Sequence, residues 1–221
     1  MQNCSPADVE ARKSPVRTAH LDPSLPASLA ESLWSCPELL IAQGDTLQKS
    51  QLRSTVRLDG DDRQYVLKRY QPDWWQASKG IIQASRAWST WTVAHFLADA
   101  GVATPRPVAC VEDRWRGFRG SSYVMYPYVP GKTLRERLAT DAKHSPELKT
   151  QLWRQLEELW LQLTNLKVSL ADANTGNFIV DANLRLWAID LDKSRVHGSA
   201  QAAGRGLQRG WEQLVRSAAK C

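Results

Sequence analysis

Alternating hydrophobic and polar positions predict short strands in the first third of the chain. Residues 38–42, 54–58 and 64–70 alternate or form short apolar runs, and turn-forming residues separate them at 44–46 and 59–62. Successive side chains of a strand point to opposite faces, so this pattern is typical of strands with one buried face. We predict three antiparallel strands joined by short turns.

The hydrophobic period becomes helical over Trp74–Ala100, where apolar and aromatic residues recur every three to four positions. Gly101 is a suitable residue to end this helix. Two further strands are predicted at 108–111 and 122–128. Two prolines and a glycine then mark Met125–Gly131 as a linker between lobes.

Helical patterns dominate the remainder. Thr133–Ala139 predicts a short helix, and Ser145 followed by proline predicts the start of a longer one. The apolar face of the longer helix is formed by Leu148, Leu152, Leu156, Leu159 and Leu163. Residues 178–180 and 184–189 predict a short hairpin, and Leu207–Ala219 predicts a last helix.

These elements predict an α+β fold with two lobes. Residues 1–35 contain four prolines and scattered polar residues, so we expect a poorly ordered extension with at most a short helix near its end. Residues 36–129 are expected to form a lobe of antiparallel sheet with one helix. Residues 130–221 are expected to form a small, mainly helical lobe that ends in a basic helix.

The chain of 221 residues carries an excess of positive charge, with 29 Lys and Arg against 23 Asp and Glu and a net charge of +6. Such an excess suits an anionic partner, although solvation alone explains it equally well. Nucleotides, nucleic acid, phosphorylated glycans and acidic lipid surfaces all belong to that class. From Lys193 onward the single acid is Glu212. The cations of this tail are Lys193, Arg195, Arg205, Arg209, Arg216 and Lys220.

The cysteines and the hydropathy pattern indicate a cytosolic protein. Cys4, Cys36, Cys110 and Cys221 are widely separated, without the short spacings of zinc sites. We expect free thiols in a reducing compartment. No apolar run reaches the roughly 18 residues of a membrane span, so any membrane contact is expected to be peripheral.

Three oxygen-bearing side chains stand at the mouth of the predicted hairpin. Asp172 is followed five positions later by Asn177, and Asp190 comes directly after the second short strand. ATP-dependent phosphoryl transfer needs a base for the acceptor hydroxyl and oxygen ligands for magnesium, and these residues supply both. Each residue also has a purely structural alternative. Asp172 could form an Asx turn, Asn177 could be a turn residue, and Asp190 could cap the end of a strand.

Lys68 lies in the predicted strand 64–70 and shares a face with Val66 and Tyr70. Without further context, a lysine at such a strand position is usually exposed to solvent and has no functional role. Residues 44–50 contain one glycine followed by polar residues and Lys49. The backbone amides of this segment could bind phosphates, but a simple hairpin loop without a ligand explains the pattern at least as well.

The order and spacing of these residues resemble the protein-kinase-like fold. More narrowly, the chain is similar to the bacterial lipopolysaccharide core kinases, the heptose/Kdo kinase family. The similarity extends from about Thr55 to Arg195. The phrases that carry it are YVLKRY, GVATPRPVA, SSYVMYPYVPGKTL, DANTGNFIV and IDLDKSR.

The resemblance implies an ATP- and Mg²⁺-dependent kinase that phosphorylates a heptose or Kdo hydroxyl of the lipopolysaccharide core glycolipid at the cytoplasmic face of the inner membrane, with no nucleic-acid partner. Asp172 is then the catalytic base, and Asn177 and Asp190 are the metal ligands. The nucleotide-binding residues implied are Lys68, Lys49, Met125, Tyr126 and Tyr128.

Two other functions remain open from the sequence. A small-molecule phosphotransferase of the aminoglycoside or choline kinase type shares the same spacing of Asp, Asn and Asp, but it builds its acceptor pocket from a larger second lobe. A nucleotide-binding pseudokinase scaffold is favoured by Leu170 ahead of Asp172 and by the lack of any acid in residues 74–98.

Overall fold

A computed structural model describes residues 16–72, 84–115 and 118–221 of the chain. The described residues divide into two units. Unit 1 takes the described part of Met1–Trp88 together with Val108–Met125, and unit 2 takes Ser89–Pro107 and Tyr126–Cys221. The lobe boundary predicted at 129/130 is four residues from the boundary of the units at Met125/Tyr126.

Unit 1 is built on a sheet of six strands. The strands are β1 (Val16–Leu21), β2 (Asp45–Lys49), β3 (Arg53–Asp59), β4 (Gln64–Tyr70), β5 (Ala109–Trp115) and β6 (Phe118–Pro127). Their order in the sheet is β1-β5-β6-β4-β3-β2. The pairs β1–β5, β5–β6, β2–β3 and β3–β4 are antiparallel. The pairing of β3 with β4 was predicted from the alternating pattern.

Two helices supply the rest of the unit 1 core: α1 (Ala27–Ser35) and α2 (Pro37–Gln43). Their buried leucines pack with the inward side chains of the sheet. The cluster contains Leu25, Leu29, Leu33, Leu40, Val56, Leu58, Tyr65, Leu67, Val108, Ala109, Val111, Tyr123 and Met125. Beside it, Arg69 of β4 pairs with Glu38 of α2, which also accepts a hydrogen bond of 2.8 Å from the Tyr123 hydroxyl.

The structure corrects three expectations for the start of the chain. Residues 38–42 are not a strand but belong to α2, because Pro37 has the backbone angle of a first helical residue and Leu40 finds a buried site. Residues 45 and 46 of the turn predicted at 44–46 belong to β2. Within the extension expected to be poorly ordered, Val16–Leu21 pairs with β5, whereas the short helix expected near its end is α1. A short run of alternating residues becomes a strand because a neighbouring sheet edge accepts its hydrogen bonds.

Other predicted elements are confirmed. Strand β4 has the predicted bounds, and β3 is one residue longer at each end. Strands β5 and β6 are longer than predicted. Of the helix predicted over Trp74–Ala100, the structure shows α3 (Arg86–Asp99), and residues 73–83 lie outside the described ranges.

Unit 2 contains most of α3 and three later helices: α4 (Leu134–Ala139), α5 (Pro146–Asn165) and α6 (Ala200–Ala218). Short strands lie between them. They are β7 (Lys132–Thr133), β8 (Val168–Ser169), β9 (Phe178–Val180), β10 (Leu186–Ala188) and β11 (Arg195–Val196). Strands β10, β9 and β7 form one small antiparallel sheet, and β11 pairs with β8.

Local signals set the ends of these helices as predicted. Gly101 has a φ of 80°, the left-handed conformation that glycine adopts without a steric penalty after a helix. Ser145 caps α5 by accepting a hydrogen bond from the Leu148 amide. The buried residues of α5 are Leu152, Leu156, Leu159 and Leu163, four of the five leucines of the predicted face.

Of the four cysteines, Cys36, Cys110 and Cys221 form no disulfide bond among the described residues, and Cys4 lies outside them. Burial raises the pKa of the Cys110 thiol to about 12. Among the helices of the described ranges, none combines the length and apolar composition needed to cross a bilayer.

The position of Leu67 at the centre of the unit 1 core gives a test of the fold. Its side chain is completely buried, so Leu67→Ala is expected to lower the free energy of unfolding by about 2–5 kcal/mol. The matched control is Leu47→Ala in β2. The Leu47 side chain is 49% exposed, so this substitution should change the free energy of unfolding little. Urea unfolding followed by circular dichroism measures both, and equal effects would contradict the described core.

Candidate active site

The segment between β8 and β9 holds the predicted base. Leu170 is buried, Asp172 is exposed, and residues Thr175–Asn177 form a single 3₁₀ turn that leads into β9. Asn174 begins this turn by accepting a hydrogen bond of 2.9 Å from the Gly176 amide at its side-chain oxygen. This cap holds the loop in one conformation.

The Asp172 carboxylate is oriented by two amide groups. Its Oδ1 accepts a hydrogen bond of 3.1 Å from Asn174 Nδ2 and one of 2.9 Å from Gln213 Nε2. Within the described residues, its Oδ2 has no hydrogen-bond partner. One oxygen is therefore held by the protein, and the other is available to accept a proton.

Asn177 and Asp190 are brought to the same corner of unit 2. Asn177 Nδ2 donates a hydrogen bond of 2.8 Å to the Asp172 carbonyl, which directs its Oδ1 away from the loop. The Asn177 carbonyl accepts a hydrogen bond of 2.9 Å from the Ile189 amide, so Asp190 follows immediately beside it. Asp190 has a φ of 59°, a left-handed conformation that non-glycine residues adopt mainly at constrained or functional positions.

The donor set of this corner fits a hard cation. Asn177 Oδ1 has no hydrogen-bond partner within the described ranges, and Asp190 adds a carboxylate. Magnesium prefers oxygen ligands of this kind and binds through one or two of them together with phosphate oxygens. The structure thus brings together the predicted base and the two predicted metal ligands.

Helix α6 supports this segment along its whole length. Four residues of one helix face, Gly206, Gly210, Gln213 and Ser217, meet the chain in order at Ser169, Leu170, Asp172 and Thr175. A Cβ atom at Gly210 would lie 2.9 Å from the Leu170 carbonyl oxygen, and one at Gly206 would lie 2.7 Å from Ser169 Cβ. Only glycine permits so close an approach.

Gln213 and Ser217 fasten the loop at the end of that face. The Ser217 hydroxyl is 2.8 Å from the buried Thr175 hydroxyl and accepts a hydrogen bond of 3.1 Å from the Thr175 amide. The other face of α6 packs on α5, where Trp211 contacts Trp153 and Trp160 with ring centroids 6.2 and 5.3 Å apart. The position of the loop therefore depends on the α5–α6 pair.

Sequence reasoning did not identify Gln213, Asn174 or Arg135. The Arg135 guanidinium lies against the loop, with its Nη2 3.6 Å from the position of a Cβ atom at Gly176. The signal in the sequence is the series Gly206, Gly210 and Ser217, small residues at helical spacing on α6. It marks a face for close backbone contact, but it does not say what that face contacts.

The other predicted site residues lie in both units. Lys68 is in β4, opposite Thr55 of β3, and Lys49 is exposed at the end of β2. Met125 is completely buried in the unit 1 core. Tyr126 is buried and Tyr128 is half-buried in unit 2. Their roles in nucleotide binding remain predictions.

A large cleft in unit 2 lies away from Asp172. Its volume is about 690 Å³, and the turn of Asp181 and Asn183 lines one side. Strand β9 separates this turn from Asn177 by three residues, about 10 Å of extended chain. Prolines and Trp187 form much of the wall of the cleft. Asp172 is not among the residues that line the cleft, so the cleft is not the site of the predicted base.

The contact between Ser217 and Thr175 gives a test of this architecture. Ser217→Ala leaves the buried Thr175 amide and hydroxyl without that partner, which costs about 1–3 kcal/mol of stability. Gln208→Ala is the matched control on the same helix, because Gln208 is exposed and bonds to Glu212 of its own helix. Thermal unfolding compares the two, and equal melting temperatures would contradict the role assigned to Ser217.

Comparisons with known proteins identify the family of the chain. The description of the family that matches residues 43–220 is "Lipopolysaccharide kinase (Kdo/WaaP) family". The 3-deoxy-D-manno-octulosonic acid kinase of Vibrio cholerae serotype O1 is 25% identical over 136 residues. That alignment covers 60% of this chain and 56% of the relative, so the chain spans little more than half of that protein.

A solved structure shows the same fold. It is that of WaaP in complex with acyl carrier protein, and it superposes with a TM-score of 0.67 at 20% identity, covering 90% of this chain and 80% of the other. The resemblance predicted from the motifs is therefore confirmed. The family match extends over most of the chain and includes the whole segment from Asp172 to Asp190. The protein belongs to the lipopolysaccharide kinase (Kdo/WaaP) family.

Proposed function

We propose that the protein is an ATP-dependent kinase that transfers the γ-phosphoryl group to a sugar hydroxyl of the lipopolysaccharide core. The observation that carries this proposal is the arrangement of Asp172, Asn177 and Asp190 in one corner of unit 2, with Asp172 Oδ2 unpartnered among the described residues. Family membership supports the reaction class. The relative that acts on 3-deoxy-D-manno-octulosonic acid supports a sugar acid as acceptor.

The reaction needs one proton acceptor. Asp172 Oδ2 takes the proton of the acceptor hydroxyl while the hydroxyl oxygen bonds to the γ-phosphorus of ATP. The bond from that phosphorus to the β–γ bridging oxygen breaks, and ADP leaves with the electron pair. The hydrogen bonds from Asn174 and Gln213 keep the carboxylate in a single orientation during this step.

Asn177 and Asp190 would hold Mg²⁺ through their side-chain oxygens. The ion, when bound, neutralises negative charge on the phosphates. Lys68, Lys49, Met125, Tyr126 and Tyr128 are proposed to contact the nucleotide, with Lys68 on the phosphates.

The proposed place of work is the lipopolysaccharide glycolipid at the cytoplasmic face of the inner membrane. Family membership supports the glycolipid as the acceptor. The WaaP with the same fold is bound to acyl carrier protein in its solved structure, so acyl carrier protein is a further partner to test for this chain.

The role of Asp172 is tested by Asp172→Asn. The amide cannot accept the proton, so turnover should fall by about 100- to 10,000-fold, while the affinity for Mg²⁺-ATP should change little. Phosphate transfer from radiolabelled ATP to core oligosaccharide measures the first, and titration calorimetry measures the second. Asp61→Asn, in an exposed turn of unit 1, is the matched control. Normal turnover by Asp172→Asn would overturn the assignment.

The hydrogen bond from Gln213 is tested by Gln213→Ala. Loss of a donor to a charged group is worth about 1.5–3 kcal/mol, so kcat should fall by about tenfold or more while KM for ATP stays unchanged. Gln208→Ala, one turn and a half away on α6, should leave both constants unaffected. A fall in melting temperature with unchanged kcat would mean that Gln213 only stabilises the fold.

A further inference from the structure

The faces of α6 differ sharply in chemistry. One is apolar and buries Ala203, Leu207 and Leu214. The next holds the loop through Gln213. Beyond it lies an exposed stripe that the helical period assigns to Arg205, Arg209, Glu212 and Arg216. The stripe therefore carries three cations and one acid beside the catalytic loop.

Most of this positive charge has no counterion among the described residues. Of the residues that the structure describes, none makes an ion pair or hydrogen bond with the side chain of Arg205 or Arg209. Arg216 approaches Glu212 only to 3.9 Å, and its side chain is 69% exposed. Glu212 also accepts a hydrogen bond of 3.0 Å from Gln208. The arginines are thus available to an external anion.

Helix geometry places two of these arginines next to the base. Arg209 precedes Gln213 by four residues and Arg216 follows it by three, so their Cβ atoms lie about 5–6 Å from that of Gln213. Gln213 itself reaches Asp172 Oδ1 at 2.9 Å. An arginine side chain is long enough to reach past the glutamine amide. Arg205 is eight residues from Gln213, about 12 Å along the helix axis, and lies outside this group.

We propose that Arg209 and Arg216 form a binding site for an anionic substituent, a carboxylate or phosphate, of the acceptor sugar. Guanidinium groups bind both anions through paired hydrogen bonds. An anion held on either side of Gln213 places a neighbouring hydroxyl of the same sugar at Asp172. The site rests on the proposed function for its chemistry, and it predicts that an acidic acceptor is selected over a neutral one.

A pair of soluble acceptors tests the site directly. One is the methyl glycoside of 3-deoxy-D-manno-octulosonic acid, and the other is its carboxyl methyl ester, which lacks the charge. The unsubstituted protein should prefer the acid in kcat/KM. Arg209→Gln and Arg216→Gln should each raise KM for the acid by about tenfold, the worth of one charge-assisted hydrogen bond, and leave KM for the ester and for ATP unchanged. Arg205→Gln is the matched control and should change neither.

The source of the anion is distinguished by a third acceptor, a phosphorylated core glycolipid in detergent micelles. If the Arg209→Gln and Arg216→Gln variants lose affinity for the acid glycoside, the site binds the sugar carboxylate. If they lose affinity for the phosphorylated acceptor alone, the site binds a phosphate. Binding to vesicles of anionic lipid is measured as well. If the Gln variants of Arg205, Arg209 and Arg216 lost vesicle binding equally and kept their affinity for the soluble acceptors, the stripe would be a membrane-binding surface and the proposal would be overturned. Equal effects of Arg209→Gln on the acid and the ester would also overturn it.

Binding without turnover separates this site from the reaction itself. The Asp172→Asn variant should still bind the acid glycoside in ligand-observed NMR, and adding Arg209→Gln should weaken that binding by about tenfold. If the proposed activity failed on these sugars, the binding experiment would still decide the site. Binding that is insensitive to both arginine changes would refute the site even if the kinase reaction were confirmed.

Discussion

The close packing of α6 against the chain from Ser169 to Thr175 is the constraint on which the site depends. Gly206 and Gly210 let the helix approach the backbone, and Gln213 and Ser217 then bond to Asp172 and Thr175. The loop is too short to build a core of its own. Its conformation comes from the Asn174 cap on one side and from α6 on the other. The helix in turn is held by aromatic packing on α5.

This dependence explains how the C-terminal helix serves two purposes. Side chains on a helix repeat every 3.6 residues, so one helix presents different chemistry to each neighbour. The apolar stripe of α6 stabilises unit 2, and the glycine-containing stripe positions Asp172. The arginine stripe is left for solvent or an anion. The net positive charge of the chain does not by itself identify a partner. The position of Arg209 and Arg216 on either side of Gln213 indicates where an anion could bind.

Prediction from sequence was most reliable where local rules act alone. The caps at Ser145 and Gly101, the leucine face of α5 and the strand Gln64–Tyr70 follow from propensity and period. It was wrong at residues 38–42, where a short apolar run is compatible with either strand or helix. Packing of Leu40 into the unit 1 core selected the helix. The strand Val16–Leu21 was missed because its partner, β5, is far away along the chain, with Val16 opposite Arg114.

The sequence by itself determined the family resemblance and the identities of the candidate base and metal ligands, because these depend on residue type and spacing along one continuous segment. Only the tertiary structure decided which oxygen of Asp172 is held and which is left open. It also decided that Gln213 and Asn174 are the residues that hold Asp172 Oδ1. The physical reason is distance along the chain: Gln213 is forty-one residues from Asp172, and no local rule couples positions so far apart until the helix packs against the loop.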